Sequence, residues 1–123
     1  MTRNIFCWID IPVADLSRAI RFYSEILNEP VQKISEHGFE FGLLPHTENN
    51  VSGCLCVMED RKPSQNGPLV YLNVEGRLKD AVEAANQQGG KVIQTIEKIG
   101  PYGHRAIILD TEGNTVALYS KEN

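Results

Sequence analysis

The sequence is short of residues that would advertise a particular chemistry. It holds only three cysteines, an odd number, and no CxxC pair to complete a zinc site. Cys7 lies in an apolar stretch, and Cys54 and Cys56 in "SGCLCVM" share one face of a strand. All three are expected to be buried thiols in a reducing compartment, not metal or redox groups. The three histidines, His37, His46 and His104, have no helical i, i+4 pairing. No apolar run approaches a membrane span, and "MTRNIFCWID" lacks a signal-peptide core, so a cytoplasmic location with no membrane partner is expected. The 12 Lys and Arg residues are scattered through a chain of net charge −4. Nothing there neutralises a row of phosphates, which argues against nucleic acid as a partner.

What is present fits one domain of 123 residues. "IFCWIDIPV", Ile5 to Val13, reads as a strand with Cys7, Ile9 and Ile11 on one face and Trp8, Asp10 and Pro12 on the other. Asp15 is placed to cap the helix that follows, whose apolar stripe is Leu16, Ala19, Ile20, Tyr23 and Ile26 or Leu27. Pro30 ends it. "VQKIS" and "FEFGLLP" are strands joined by an "EHG" turn, and "GCLCVM" is a fourth strand. The polar stretch 59–67 reads as a linker.

The second half repeats this order. "GPLVYLNVEG" holds a strand with Val70, Leu72 and Val74 on one face and Leu69, Tyr71 and Asn73 on the other. A helix follows, with Leu78, Ala81, Val82 and Ala85 on its apolar side and Gly89 as its terminator. Then come "KVIQTIE", "HRAIIL" and "TVALYS", the last two joined by "DTEGN" with Gly113 in the turn. "CWIDIPVADLSRAIRFY" matches "LVYLNVEGRLKDAVEAA" in pattern, which makes the chain an internal repeat. The expected fold is α+β, two βαβββ modules at about 4–58 and about 68–121. Each module is near the lower size limit for independent stability, about sixty residues.

"IPVADLSRAIRFYSEIL" carries a V-x-D-L-x-x-x-x-x-F-Y signature, and "ILDTEGNTVALYS" a D-x-x-G-N signature. On these the chain resembles the vicinal oxygen chelate superfamily, which includes glyoxalase I, extradiol dioxygenases and bleomycin-resistance proteins. The resemblance covers almost the whole chain. It implies curved mixed sheets around a cavity, and a homodimer. It says little about the reaction, because one fold hosts many chemistries.

In metal-dependent relatives four side chains, a His or Gln and then Glu, His and Glu, hold a divalent ion. Carried over by motif, three of those positions fall on Trp8, Leu69 and Ala117, and the fourth falls within "SGCLC", where no carboxylate stands. Indole, isobutyl and methyl groups cannot ligate a metal. The expectation is therefore no family metal site and no cofactor, with neither glyoxalase I nor extradiol dioxygenase activity in the usual form.

The cavity-facing candidates by strand parity are Trp8, Asp10 and Pro12, then Leu69, Tyr71 and Asn73, then Thr115, Ala117 and Tyr119, with His104 and Ala106 joining from the seventh strand. Aromatic walls with a few polar groups suit a small-molecule ligand. Asp10 and His104 are the candidate general bases if the chain is instead a metal-independent lyase or isomerase. "PYGHR" reads as a solvated loop or an anion-contacting rim. A third possibility is a partner protein whose cavity is filled by its own side chains.

Overall fold

The computed structural model describes residues 4–122. The elements run β1 (Trp8–Pro12), α1 (Leu16–Leu27), β2 (Gln32–Glu36), β3 (Phe39–Leu43), β4 (Ser52–Cys56), β5 (Val70–Asn73), α2 (Leu78–Gln87), β6 (Lys91–Lys98), β7 (His104–Leu109) and β8 (Thr115–Ser120). A short 3-10 turn, Gly100–Tyr102, precedes β7. The strands form two open four-stranded sheets, ordered β1-β4-β3-β2 and β5-β8-β7-β6. In each, the first strand lies parallel to the fourth, and the other neighbours are antiparallel. A parallel pair needs a crossover, and the helix supplies it. The architecture is α+β, two βαβββ modules, as the repeat predicts.

Local signals account for most boundaries. Asp15 caps α1, its carboxylate accepting the Arg18 N–H at 3.0 Å. The helix stops at Asn28, left-handed at φ 55°, whose N–H returns to Glu25 O, so it ends two residues before Pro30. His37 and Gly38 both have positive φ, which suits the tight β2–β3 hairpin. The first strand is shorter than expected. Ile5, Phe6 and Cys7 precede the point where Trp8 begins to pair with Ser52, and all three are exposed. The expectation that Cys7 is a buried thiol is therefore corrected: it has no neighbouring strand to cover it.

One core spans both modules. Phe22, Tyr23, Ile26 and Leu55 from the first are fully buried in the same cluster as Leu78, Ile108 and Leu118 from the second. The two helices pack on each other. The Phe22 ring reaches Gly90, where a Cβ would lie 2.7 Å from the ring. A shared core relieves each module of its marginal size.

The D-x-x-G-N turn has a physical reason. Asp110 is buried, and its carboxylate accepts the N–H groups of Glu112 and Asn114, the Asn114 amide and the Tyr23 hydroxyl. Asn114 also donates to Pro12 O at 2.7 Å, the last residue of β1. Glu112 accepts from the backbone of Ala14 and Asp15 and from Arg18. The β7–β8 turn of module two is thus fastened to the β1–α1 junction of module one. Gly113, at φ 99°, closes the turn.

Candidate functional site

The helices cover one face of each sheet, and Trp8, Asp10, Tyr71 and Asn73 alternate onto the other. β5 pairs in parallel with β8, so Tyr71 stands opposite Ala117 and Asn73 opposite Tyr119. Leu72, Val116 and Leu118 pack into the core, as the parity of "GPLVYLNVEG" requires, while Val70 at the start of β5 borders the cleft. Because β1 and β5 are edges of separate sheets, the space between them is open. A cleft of about 790 Å³ lies there, with Trp8, Asp10, Pro12, Leu69, Tyr71 and Thr115 in its lining. A second, of about 500 Å³, shares Ile9, Ile11, Val70 and Tyr71 and adds Asn73. Trp8 is 44% and Tyr71 45% exposed, so neither ring plugs the gap.

Of the expected β8 residues, Ala117 and Tyr119 do not line either cleft. Ala117 is fully buried. Tyr119 leans toward Tyr71, ring centroids 6.3 Å apart, and donates its hydroxyl to Tyr102 O.

The β7 register corrects the seventh-strand expectation. Arg105 pairs with Tyr119 and Ile107 with Ala117, so Arg105 shares the sheet face of Tyr71 and Asn73. His104 and Ala106 stand on the side of Ile108, and Ala106 and Ile108 are fully buried in the core. Among the described residues, His104 Nδ1 is a buried atom with no hydrogen-bond partner. His104 opens β7 and Arg105 is its second residue, so neither belongs to a loop. The Arg105 guanidinium donates to the Tyr71 hydroxyl, lies 5.9 Å over that ring, and meets Glu97 at 3.4 Å. The Tyr71 hydrogen bond raises the Arg105 pKa above its ordinary value. Pairing with Tyr119 was the signal that would have selected Arg105, but it needs the register, which composition does not supply.

Asp10 is joined by groups from the next strand. It pairs with Cys54 in the β1–β4 ladder, and Cys56 follows on the same face. Trp8 Nε1 donates to Asp10 Oδ1 at 3.0 Å, and the Cys54 thiol reaches the same oxygen at 3.3 Å. The donor atoms of Asp10, Cys54 and Cys56 all lie within 4.8 Å of one another. Burial, with Cys56 and Asp10 beside it, pushes the Cys54 thiol up to about 12. Burial likewise raises Cys56. Unligated, both are neutral thiols near pH 7 and poor nucleophiles.

Comparison with known proteins reads the same architecture. Residues 5–118 match the model of the Glyoxalase/Bleomycin resistance protein/Dioxygenase superfamily. The chain belongs to this superfamily. A glyoxylase-like domain-containing protein of Didymella fabae is 28% identical over 92% of this chain and 91% of its own. A glyoxalase/bleomycin resistance protein of Albidiferax ferrireducens superposes with a TM-score of 0.74 at 15% identity, over 95% of this chain and 98% of that one. A glyoxalase I mutant of Zea mays gives 0.71 at 20% identity, over 94% of this chain but 45% of that one. At these identities the two structures show a shared fold.

Three residues that the motif resemblance puts at metal positions of the superfamily, Trp8, Leu69 and Ala117, carry side chains that do not ligate an ion. Trp8 offers an indole N–H already given to Asp10, Leu69 is hydrocarbon beside the cleft, and Ala117 is buried in β8. In this glyoxalase-superfamily chain, the polar residues lining the cleft include Asp10, Tyr71, Asn114 and Thr115, together with the cations Arg61 and Lys62.

Proposed function

We propose that this protein binds a small, partly apolar, oxygenated molecule in the cleft between β1 and β5. The observation that carries the reading is the open cleft of about 790 Å³ flanked by the Trp8 and Tyr71 rings. Such a volume suits a metabolite-sized ligand, and aromatic faces with a few fixed polar groups supply both affinity and orientation. The cleft is not filled by its own side chains, which speaks against a self-plugged partner protein. The proposal includes a homodimer, because Phe6, Trp8 and Tyr71 leave apolar surface along two unpaired strand edges. Light scattering on the eluted protein tests that part.

The alternative is a metal-independent lyase or isomerase of the superfamily with Asp10 as general base. Its support is the place of Asp10 in the cleft lining. His104 has less in its favour, since it stands on the core side of β7. An Asp10→Asn variant that keeps full turnover on a discovered substrate removes this alternative.

The binding reading is tested by a thermal-shift screen of small carboxylates, phenols and ketones, followed by titration calorimetry of the hits. Tyr71→Ala is expected to weaken a true cleft ligand about tenfold or more. A ligand bound equally well by Tyr71→Ala and Trp8→Ala places the site elsewhere and overturns the reading.

A further inference from the structure

We propose that Asp10, Cys54 and Cys56 form a binding site for a thiophilic divalent cation, zinc first among them. The site takes no ligand from Trp8, Leu69 or Ala117, and it meets the resemblance-derived positions only in "SGCLC", where the fourth falls. It lies within module one, on two adjacent parallel strands. Strand parity turns Cys54 and Cys56 to one face, and the ladder sets Asp10 directly beside Cys54.

The distances suit one ion. Two thiolates sharing a tetrahedral zinc at about 2.3 Å stand about 3.8 Å apart. The three donor atoms already lie within 4.8 Å of one another, and the Cys54 Sγ to Asp10 Oδ1 separation is 3.3 Å. Small side-chain rotations close the remaining gap. Two thiols release their protons to solvent as two metal–sulfur bonds form, and the carboxylate supplies the third donor.

Three protein ligands leave the fourth position of a tetrahedral ion open. Asp10 is exposed and lines the cleft, Cys56 is half-buried, and Cys54 is buried, so the ion reaches the site from the cleft side. The Trp8 N–H donates to the Asp10 Oδ1 that the Cys54 thiol also reaches, and so orients the carboxylate, as groups outside the ligand shell commonly do. A disulfide is the poorer use of the pair. Strand residues i and i+2 stand about 6.6–6.8 Å apart at Cα, at the far end of the disulfide range.

The site does not depend on an organic ligand occupying the cleft, so the two proposals can fail separately. The test takes the full chain, reduced and stripped with chelator, and titrates it with zinc. Two readouts are followed: calorimetric stoichiometry and the fluorescence of Trp8, the single tryptophan. Cadmium, titrated in parallel, reports sulfur ligation by thiolate-to-metal absorption in the ultraviolet. One equivalent is expected to bind. Cys56→Ser should weaken it about 100-fold or more, and Asp10→Asn about tenfold or more. Cys7→Ser, at the exposed third thiol, should leave binding unchanged. If Cys54→Ser fails to fold, Cys56→Ser and Asp10→Asn still decide, because neither residue is fully buried. Zinc binding that is absent, survives Cys56→Ser, or is lost in Cys7→Ser overturns the proposal.

Discussion

The Tyr23 hydroxyl, from α1 of module one, donates to Asp110 Oδ2, from the β7–β8 turn of module two, at 2.5 Å. Both residues are buried. The bond joins the F-Y end of one sequence signature to the first Asp of the other, so the two motifs are halves of one inter-module fastening.

Removing the hydroxyl leaves a buried carboxylate short of a donor. Tyr23→Phe should therefore cost about 1–3 kcal/mol, read as a lower urea midpoint at unchanged slope. Burial and the nearby Asp110 push the Tyr23 pKa well above 10. The folded phenol keeps its proton where the unfolded one loses it, so the stabilisation is complete below about pH 10 and is lost as pH rises further. Tyr23→Phe should lose that alkaline dependence. An unchanged alkaline limb in the variant would assign it to another group.

Glu112 predicts the acid limb. Its side chain is fully enclosed opposite Arg18 at 2.7 Å. Burial alone would raise its pKa, but the Arg18 hydrogen bond, the Asp15 N–H, the Thr111 hydroxyl and the Ala14 N–H together hold it at about 2. The unfolded carboxyl protonates near pH 4.5, so between these values the unfolded chain holds the extra proton. Stability is present above pH 4.5 and is lost as pH falls toward 2. Glu112→Gln should flatten that fall and lower neutral stability by on the order of 2 kcal/mol. Chemical denaturation at pH 7 and at pH 3 checks both.

Much of this was legible in the sequence because it depends on period and on turn chemistry. Alternation put Trp8 and Asp10 on one face and Ile9 and Ile11 on the other, and a single register slip would have exposed Ile11. Asp15, Gly89 and Gly113 marked element ends for reasons local to each residue. Pairing between distant strands was not legible. His104 was placed in the cavity because β7 offers two parities, and only the pairing of Arg105 with Tyr119 selects one. Asp10 and the two cysteines are 44 residues apart at their nearest hydrogen bond. Only the parallel β1–β4 ladder brings them together, which is why C-x-C read as two buried thiols and nothing more.

That ladder leaves no room for a side chain at Gly53. A Cβ there would lie 2.2 Å from Ile9 O, a backbone atom that cannot step aside without opening the β1–β4 pair. Gly53→Ala should cost about 2 kcal/mol or more and, by shifting β4 against β1, should also move Cys54 away from Asp10. Thermal melts give the first effect. Wild-type stability in Gly53→Ala would mean that β1 and β4 separate more easily than their pairing implies.

His104 and Arg105 stand side by side in sequence on opposite faces of β7, so their substitutions should separate cleanly. His104→Ala removes a group packed on the core side, and should lower stability by about 1 kcal/mol with little change in ligand affinity. Arg105→Ala frees the Tyr71 hydroxyl and takes the cation from above its ring. Tyr71 then loses the contact that holds it at the edge of the cleft, and affinity for a cleft ligand should fall several-fold at nearly unchanged stability. Calorimetry on a screened ligand, paired with urea unfolding of each variant, distinguishes the two. If His104→Ala abolishes binding while Arg105→Ala does not, the ligand approaches from the helix-covered side, and the face of Tyr71 and Arg105 loses its claim to the site.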